Sequence, residues 1–478
     1  MANTQSGGPI DESLLRLQEN HISTLIWQGE ERMLRPRLHS VWAMRHFDEL
    51  DNRVKNAITE AGFGHVMTIG QVDINQHLVT ALVERWRTET HTFHFPQGEA
   101  TITLQDVALQ LGLKIDGLPL TGGIIGDVHH CCELLLGLSP PAKYVKGKTI
   151  YLTWLRQNFE QLPDDADDVV VAQHARAHIM MLIGGCLMPD TSGARIHFMY
   201  LLLLSNLTEA SHYSWGAAVL ASLYRALDRA VKPLQTEIGG CLLLLQSWAW
   251  DRIKCVAPHI HALSDEEVQE GLGFPLARRW SRPMSQTNIP TNSVRLIRMI
   301  FDRLQLHDVR FFLLHLKFLF IFPTGQNICD KILSYMFISK FSLVLQFLWT
   351  PYDTPEIRPL INNIEVSMIA RAKVPLICFA IVEWHAVDRV MRQFGMRQHI
   401  PDDPPNMDQL HEIDMRGRTD VYWPHQHWHW INKWINWNAY IVHGEMDNNI
   451  LHENSEYMQW YIRRTRRYIS REGRVSSE

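Results

Sequence analysis

The chain has 478 residues, of which 46% are hydrophobic and 20% are charged, and its formal net charge is −5. This composition excludes a mainly disordered protein, and the acidic balance excludes a strongly basic, nucleic-acid-binding surface over the whole chain. The 7 cysteines show no repeated CxxC spacing, which gives no basis for a disulfide framework or a zinc ribbon and favours a reducing compartment.

The chain begins with a polar, glycine-containing stretch that is predicted to be flexible over residues 1–20. This stretch has no basic segment followed by an apolar run, so we expect no secretory signal. From residue 21 onwards, apolar positions recur at helical spacing in most segments. The sequence therefore predicts a mainly α-helical protein, with a single large helical domain over 21–460 and a small β-hairpin near 91–103.

The predicted hairpin rests on the residues THTFHFPQGEATIT. Thr92 and His94 alternate with Phe93 and Phe95, which is the two-residue period of a half-buried strand. The next residues, PQGE, are predicted to form the turn, because Gly98 adopts positive φ without steric cost. The residues ATIT then form the return strand.

A helix is predicted directly after the hairpin. Thr103 is its expected N-cap, Asp106 completes a capping box, and Gly112 ends it in the left-handed conformation. Ala108 and Gly112 have the spacing of a helix-turn-helix, but the residues that follow, LKIDGLPLTGG, break a recognition helix and contain only Lys114 as a base. A buried scaffold helix is therefore favoured over a DNA-reading element.

The centre of the fold is predicted from two strongly apolar segments. The segment 215–231, WGAAVLASLYRALDRAV, places Ala, Leu and Tyr on a packing stripe and Arg225 and Arg229 outside it. The segment 239–253, GGCLLLLQSWAWDRI, is a second deeply buried helix.

Two sets of residues have the chemistry of metal ligands. In GDVHH, Asp127 and His129 resemble the first metal motif of the serine/threonine phosphatases, but the partner motifs that would complete a two-metal site are absent. The others are HHCC, 129–132, and the alternating histidines of HQHWH: His425, His427 and His429. Adjacent residues cannot all face one ion, so solvated or aromatic-packed histidines are favoured over zinc, and no metal or cofactor is expected.

No nucleophile elbow, P-loop or dinucleotide-binding motif is present, so the sequence gives no specific reason to expect an enzyme. The segment VEWHAVDRV supplies Glu383, His385 and Asp388, which at helical spacing form no evident triad. An interior salt bridge of Glu383 or Asp388 with an arginine is the expected alternative.

The C-terminal residues YIRRTRRYISREGR are predicted to form a basic tail over 461–478. A nuclear-import or phosphate-binding patch is one interpretation, and a helix end whose arginines face water is the other. Trp460 and Tyr461 are expected to pack while the arginines stay accessible. The arginines concerned are Arg463, Arg464, Arg466 and Arg467.

Ordered blocks along the chain carry a family resemblance. They include LVTALVERWRTETHTFHFPQGEATITLQDVALQLGLKIDGLPLTG, YSWGAAVLASLYRALDRA, GGCLLLLQSWAWDRI, CFAIVEWHAVDRVMRQFGMRQHIP and HEIDMRGRTDVYW. From 21 to 469 the chain resembles the plant mobile domain family, also labelled aminotransferase-like plant mobile domain, including its Maintenance of Meristems and MAIN-like members. The signature residues, taken as structural, are Trp86, Glu89, Thr90, Phe93, Gly98, Thr103, Asp106, Ala108, Gly112, Gly117, Trp215, Gly216, Trp248, Trp250, Arg252, Trp384 and Arg389.

The resemblance implies a plant nuclear protein that is related to domesticated transposon sequences, and the leading hypothesis is a non-enzymatic nuclear protein-interaction scaffold. It implies roles in meristem maintenance, transposon silencing and gene-expression control, through nuclear protein partners that include a plant serine/threonine phosphatase as a candidate. The aminotransferase-like label is not taken as chemistry, because no Schiff-base lysine with an acidic partner can be nominated. The alternatives are a transposon-derived DNA-binding protein, through 463–474 and the Arg278 and Arg279 pair, and an enzyme of unrecognised type.

One segment departs from the family pattern. Residues 310–346 are rich in Phe, Leu and Ile, contain only Asp330 as an acid and show no clean amphipathic period. Their most apolar part, 310–322, is interrupted by His315 and Lys317 and is shorter than the roughly 20 residues that span a bilayer, so no membrane helix is expected. The segment is interpreted as an atypical insertion, retained from an intron or a gene-model error.

Overall fold

A computed structural model describes most of the chain. The described residues are 9–37, 44, 46–123, 126–189, 193–260, 273–281, 283–285, 292–304, 347–355, 357–358, 368–413, 421–447, 449 and 451–471. The predicted apolar insertion, 310–346, lies outside the described residues.

Helices dominate the described part of the chain, as the sequence predicts. In chain order they are α1 (Ile22–Gln28), α2 (Asn52–Glu60), α3 (Gly64–Met67), α4 (Gln76–Val83), α5 (Leu104–Leu111), α6 (Val128–Leu136), α7 (Leu152–Phe159), α8 (Asp168–Leu182), α9 (Met199–Leu203), α10 (Leu207–Ala210), α11 (Trp215–Ala230), α12 (Leu242–Arg252), α13 (Val294–Asp302), α14 (Asp408–His411), α15 (Trp423–Gln426), α16 (Trp428–Ile435) and α17 (Glu456–Arg464).

Short strands form small sheets between the helices. The strands are β1 (Arg35–Pro36), β2 (Trp86–Arg87), β3 (Thr92–Phe95), β4 (Gly98–Ala100), β5 (Val145–Lys146), β6 (Thr149–Tyr151), β7 (Arg195–His197), β8 (Glu237–Ile238), β9 (His259–Ile260), β10 (Pro283–Ser285), β11 (Pro375–Cys378) and β12 (Ile381–Trp384). The sheets have the orders β2-β3-β4, β5-β6-β7, β11-β12, β9-β10 and β1-β8, and the β1-β8 pair is parallel.

Helices α11 and α12 lie in the core, where the sequence places them. Every residue of α12 is buried, and α11 packs against β11, β12 and α5. The prediction for the outer face of α11 is wrong at one position, because Arg225 is buried rather than exposed. Its guanidinium pairs with the buried carboxylate of Glu383, which removes the cost of an isolated charge.

The strand β3 is part of a three-stranded sheet, with Phe93 opposite Ala100 and Phe95 opposite Gly98. The return strand therefore begins at Gly98, inside the predicted turn. The predicted half-burial is also wrong, because all four residues of β3 are buried. Its polar face packs against the buried carboxylate of Glu99, which accepts a hydrogen bond from the Thr92 hydroxyl at 2.9 Å.

The predicted ends of α5 are confirmed. Thr103 and Asp106 form the capping box, and Gly112 ends the helix with φ of +66°. Residues 113–123 contain no helix, and most of α5 is buried, so this element is a scaffold helix that no recognition helix follows.

Both predicted terminal segments pack onto the fold where they are described. Leu14 and Leu15 are buried, although residues 1–20 are predicted to be flexible. At the other end, Ile469 lies in an apolar cluster with Ile22 and Ile26 of α1. The apolar side chains at these positions explain why both ends are held against the domain.

One described helical segment, Asp168–Leu187, is long and apolar enough by length and composition to cross a membrane. It consists of α8 and a π-helical turn, Ile183–Leu187. In its most apolar window, 72% of the residues are buried inside the fold, which is the pattern of a core helix.

Candidate functional site

Four titratable side chains from distant parts of the chain meet in the interior. His91 precedes β3, Asp228 lies in α11, Glu383 lies in β12 and His411 ends α14. One ligand atom from each lies within 4.8 Å of the other three. We call this group the His–carboxylate cluster.

The imidazole nitrogens of the cluster face its carboxylate oxygens. His91 Nε2 lies 3.1 Å from Glu383 Oε2 and 3.3 Å from Asp228 Oδ2. His411 Nε2 lies 2.9 Å from the same glutamate oxygen and 3.4 Å from the same aspartate oxygen. Each histidine therefore contacts both carboxylates.

The local backbone holds His91 in an uncommon conformation. Its φ is +51°, a region that few residues other than glycine adopt, although histidine is among those enriched there. Its Nδ1 lies 3.1 Å from the carbonyl oxygen of Trp384, and this contact leaves Nε2 facing the carboxylates. The ring also packs beside Trp86 and Tyr224, at centroid distances of 6.0 and 5.3 Å.

The carboxylates are held from the side away from the histidines. The Trp86 indole N–H donates to Asp228 Oδ1 at 2.7 Å, and the Arg225 guanidinium donates to Glu383 Oε1. The remaining oxygen of each carboxylate, Asp228 Oδ2 and Glu383 Oε2, therefore points into the cluster.

The electrostatics of the cluster favour bound positive charge. Burial disfavours a charged His91, but the adjacent carboxylates of Asp228 and Glu383 raise its pKa to about 10. Burial also acts against the ionised Glu383, yet Arg225 and His411 hold the pKa of that carboxyl well below its ordinary value. Two imidazoles and two carboxylates together form a donor set that suits either a proton network or a divalent metal ion.

Sequence reasoning missed this cluster. Only Glu383 was singled out, because the four residues are separated by 137, 155 and 28 positions along the chain and show no ligand spacing. Only the close packing of these segments brings the four side chains together.

The three polar residues of VEWHAVDRV separate in the structure. The predicted facing of Glu383 assumes a helix, but residues 381–384 form the strand β12, because all four pair with β11 in antiparallel register. His385 accepts from the Leu104 N–H at 3.3 Å, while Asp388 binds the Lys373 ammonium at 2.9 Å. The expected interior salt bridge with an arginine is confirmed for Glu383, which pairs with Arg225.

The motifs considered as metal ligands do not converge on a common point; among the described residues, the His–carboxylate cluster is the one group of His, Cys, Asp and Glu side chains whose ligand atoms do. Asp127 caps α6 by accepting from the His129 N–H, and Cys132 is buried. In HQHWH, His425 and His429 are exposed and His427 stacks on Trp423 at a centroid distance of 5.4 Å.

A second feature is an exposed apolar surface around α16. The exposed fractions of its four side chains are 56% for Tyr422, 63% for Trp428, 59% for Ile435 and 40% for Tyr440. Trp428 and Ile435 are seven residues apart on one helix and therefore share a face. We call these four residues the aromatic face.

The helix beneath the aromatic face is fixed to the core. Trp434 is buried on the opposite side of α16 and its indole N–H donates to the Gly117 carbonyl at 2.8 Å. Trp423 is also buried. The exposed side chains are therefore displayed on a held element.

A cleft of about 1210 Å³ lies beside the turn between β3 and β4. The Arg392 guanidinium stacks on Trp349 at 3.8 Å from the ring centroid and donates to the Gln97 carbonyl. Its titratable lining residues do not converge on one point as the His–carboxylate cluster does.

The basic C-terminal arginines differ in exposure. Arg463 is exposed, Arg464 and Arg467 are partly exposed, and Arg466 is buried with its guanidinium 5.1 Å from the Trp27 ring centroid. The four do not form one open patch, which corrects the expected accessibility at Arg466. The planar guanidinium is buried because it packs on an aromatic ring.

The family-signature residues are buried, apart from Ala108, Gly112 and Gly117. Two of their arginines make buried ion pairs, Arg252 with Asp106 at 2.9 Å and Arg389 with Glu99 at 2.8 Å. Arg278 and Arg279 are the pair considered for DNA binding, and Arg279 forms an ion pair with the buried Asp251 of α12.

The plant mobile domain family model matches residues 62–313 and 334–462. The gap between the matches, 314–333, falls inside the segment predicted to be an insertion. No solved structure matches the chain.

Three relatives from Arabidopsis thaliana extend this finding. Serine/threonine-protein phosphatase 7 long form homolog is 38% identical, over 97% of this chain and 32% of its own length. Protein MAIN-LIKE 1 is 34% identical, over 98% of this chain and 82% of its own length, and Protein MAINTENANCE OF MERISTEMS is 31% identical, over 93% and 81%. This chain thus spans about a third of the phosphatase-named relative. The resemblance seen in the sequence is confirmed, and the chain belongs to the plant mobile domain family.

Proposed function

We propose that this chain is a non-enzymatic nuclear protein-interaction protein that acts in meristem maintenance, transposon silencing and gene-expression control. The observation that carries the proposal is the aromatic face. Exposed Trp and Tyr side chains are among the residues that dominate the energetics of protein interfaces. One hydrophobic core has members from Leu34 to Trp434 along the chain. This shared core supports the proposal that 21–460 is one domain, which presents the aromatic face.

The physical cost of the aromatic face supports a binding role. Leaving a large apolar side chain in water forgoes about 1.5–3 kcal/mol of burial free energy. Trp428 and Ile435 lie two turns apart on one face of a helix that the buried Trp434 fixes, so a partner meets a surface that needs little ordering. Such a preorganised apolar surface suits a protein partner better than a small polar ligand.

The charge around the aromatic face defines the partner's chemistry. Residues 421–440 contain no Asp or Glu, and Lys433 is their one permanently charged residue. We therefore propose a partner segment with apolar anchor residues and flanking acidic residues. We propose a plant serine/threonine phosphatase as one candidate partner; one relative bears the name of such a phosphatase.

Affinity purification from plant nuclei tests the proposal. The tagged chain is compared with the Trp428→Ala/Ile435→Ala variant and with Leu234→Ala, a matched control whose side chain is 96% exposed. We expect partners to co-purify with the unaltered chain and the control and to be lost from the double variant. Identical partner sets for all three chains would overturn the assignment of this surface.

Nuclear entry is proposed to use Arg463 and Arg464, the two arginines of the tail's helix end. Replacing both with alanine is expected to reduce nuclear accumulation of a fluorescent fusion. Arg466 is unsuitable for this test, because its burial makes replacement a change to the fold. Unchanged nuclear accumulation of the double variant would remove the role assigned to these residues.

A further inference from the structure

We propose that the His–carboxylate cluster is a divalent-metal site and that zinc is the ion it fits best. The cluster offers two imidazole nitrogens and two carboxylate oxygens, which are ligands that zinc takes in proteins. These ligands come from four separate segments, so a bound ion would join parts of the chain more than 300 residues apart.

The nitrogen–oxygen spacings in the cluster are close to those between neighbouring ligands of one zinc ion. Zinc binds nitrogen and oxygen ligands at about 2.0–2.1 Å, which places neighbouring ligands of a tetrahedron about 3.3–3.4 Å apart. The four nitrogen–oxygen distances in the cluster are 2.9, 3.1, 3.3 and 3.4 Å. The side chains are thus already near the positions that a central ion requires.

Two facing atoms of the cluster lack a satisfactory partner in the described structure. His91 Nε2 and Asp228 Oδ2 are buried and neither makes a hydrogen bond of acceptable geometry, although they lie 3.3 Å apart. A proton on His91 Nε2 would therefore point at neither carboxylate oxygen with good geometry. An ion at the centre of the four ligands would satisfy both atoms at once.

Surrounding contacts orient the ligands as they do in metal proteins. The Trp384 carbonyl lies 3.1 Å from Nδ1 of His91, and the Trp86 indole holds the outer oxygen of Asp228 at 2.7 Å. Arg225 holds the outer oxygen of Glu383. Partners of this kind fix ring and carboxylate orientation, and their loss weakens metal binding by about 10–100-fold.

The ligand set assigns the ion a structural role. Four protein ligands complete a tetrahedral site and leave no position for substrate or water. The His411 side chain is 16% exposed, which gives the ion a route from solvent into a site whose other ligands are buried. Binding would tie α14 and the residues before β3 to the core helix α11.

Zinc titration of the full chain tests the site. The protein is dialysed against a chelator and titrated with ZnCl₂ by calorimetry, with metal content measured after gel filtration. We expect one zinc per chain, at least about tenfold weaker binding for His411→Gln, and unchanged binding for His429→Gln, whose histidine is exposed and outside the cluster. No zinc binding, or equal binding in both variants, would overturn the proposal.

Cobalt provides a second measurement that does not depend on a variant folding. CoCl₂ added to the chelator-treated chain is expected to give the visible absorption of tetrahedral Co²⁺, and ZnCl₂ is expected to displace it. Absence of this absorption, or displacement by MnCl₂ but not by ZnCl₂, would overturn the assignment of a tetrahedral zinc site.

Discussion

Replacing Glu99 by glutamine tests the buried polar face of β3. The carboxylate of Glu99 is fully buried, and Arg389 donates to it from Nε at 2.8 Å. His94 Nε2 lies 3.3 Å away, but burial lowers the pKa of this histidine to about 4 and keeps it neutral near pH 7. Glu99→Gln therefore leaves the buried guanidinium of Arg389 without its counter-charge.

Two independent estimates of the stability lost in Glu99→Gln agree. Burial would raise the pKa of Glu99, but the adjacent guanidinium lowers it from 4.5 to about 2, and a decrease of this size corresponds to about 3 kcal/mol of stability. Removing one partner of a buried ion pair costs about 3–5 kcal/mol in general. We expect Glu99→Gln to lower the free energy of unfolding by about 3 kcal/mol at pH 7.

The pH dependence has a defined sign. Because the pKa of Glu99 is lower in the folded state, its contribution is complete above pH 4.5 and is lost as the pH falls towards 2. The stability difference between the unaltered chain and Glu99→Gln should therefore be constant above pH 4.5 and shrink below it.

Urea unfolding followed by tryptophan fluorescence measures these changes. Asp353→Asn is the control. The Asp353 and Arg358 side chains are 57% and 60% exposed, so the loss of their ion pair is expected to leave the urea midpoint of unfolding unchanged. Glu99→Leu combined with Arg389→Met should recover part of the loss, because no lone charge remains. A Glu99→Gln variant within about 1 kcal/mol of the unaltered chain would refute this reasoning.

Three further substitutions have contrasting expected effects. Gly117→Ala should lower the melting temperature, because φ is +97° and the added Cβ would lie 2.2 Å from the His212 carbonyl oxygen; an unchanged melting curve would contradict that close approach. Trp428→Ala should leave the free energy of unfolding within about 0.5 kcal/mol, because the side chain is exposed, and a larger loss in urea would show that it packs in the fold. Arg466→Ala should lower the melting temperature and Arg463→Ala should not, and equal melting temperatures would refute the difference in burial.

Local sequence chemistry predicted features whose partners are close along the chain. The capping box joins Thr103 to Asp106, and Gly112 ends the same helix. The apolar character of 242–252 likewise predicted a buried helix without knowledge of its neighbours. Such features depend on contacts within one element, so the residue pattern is sufficient.

Features that depend on distant partners were not predictable in this way. Arg225 looked solvent-facing because its partner, Glu383, is 158 residues away. The polar side of β3 was predicted to be exposed, but it is buried against Glu99. The arginine that pairs with Glu99, Arg389, is 290 residues away along the chain. His91 has no sequence signal at all, since its other cluster members become neighbours only after folding.

The strand β12 shows a further limit of local patterns. Four residues are too few to separate a short strand from one turn of a helix by periodicity alone. Pairing with β11, through a tight turn in which Phe379 has φ of +51°, decides the conformation. Tertiary contacts therefore override the helical spacing that the polar residues suggest.

The most direct measurement of the central claim is the dissociation constant of the partner recovered from plant nuclei. It is measured by calorimetry for the unaltered chain, Trp428→Ala and Leu234→Ala under identical salt conditions. If the aromatic face binds that partner, Trp428→Ala should raise the dissociation constant by about 30-fold or more. Such a change corresponds to the loss of at least about 2 kcal/mol, as expected for a central interface residue. Leu234→Ala should leave the dissociation constant unchanged. Equal dissociation constants for all three chains would contradict the account.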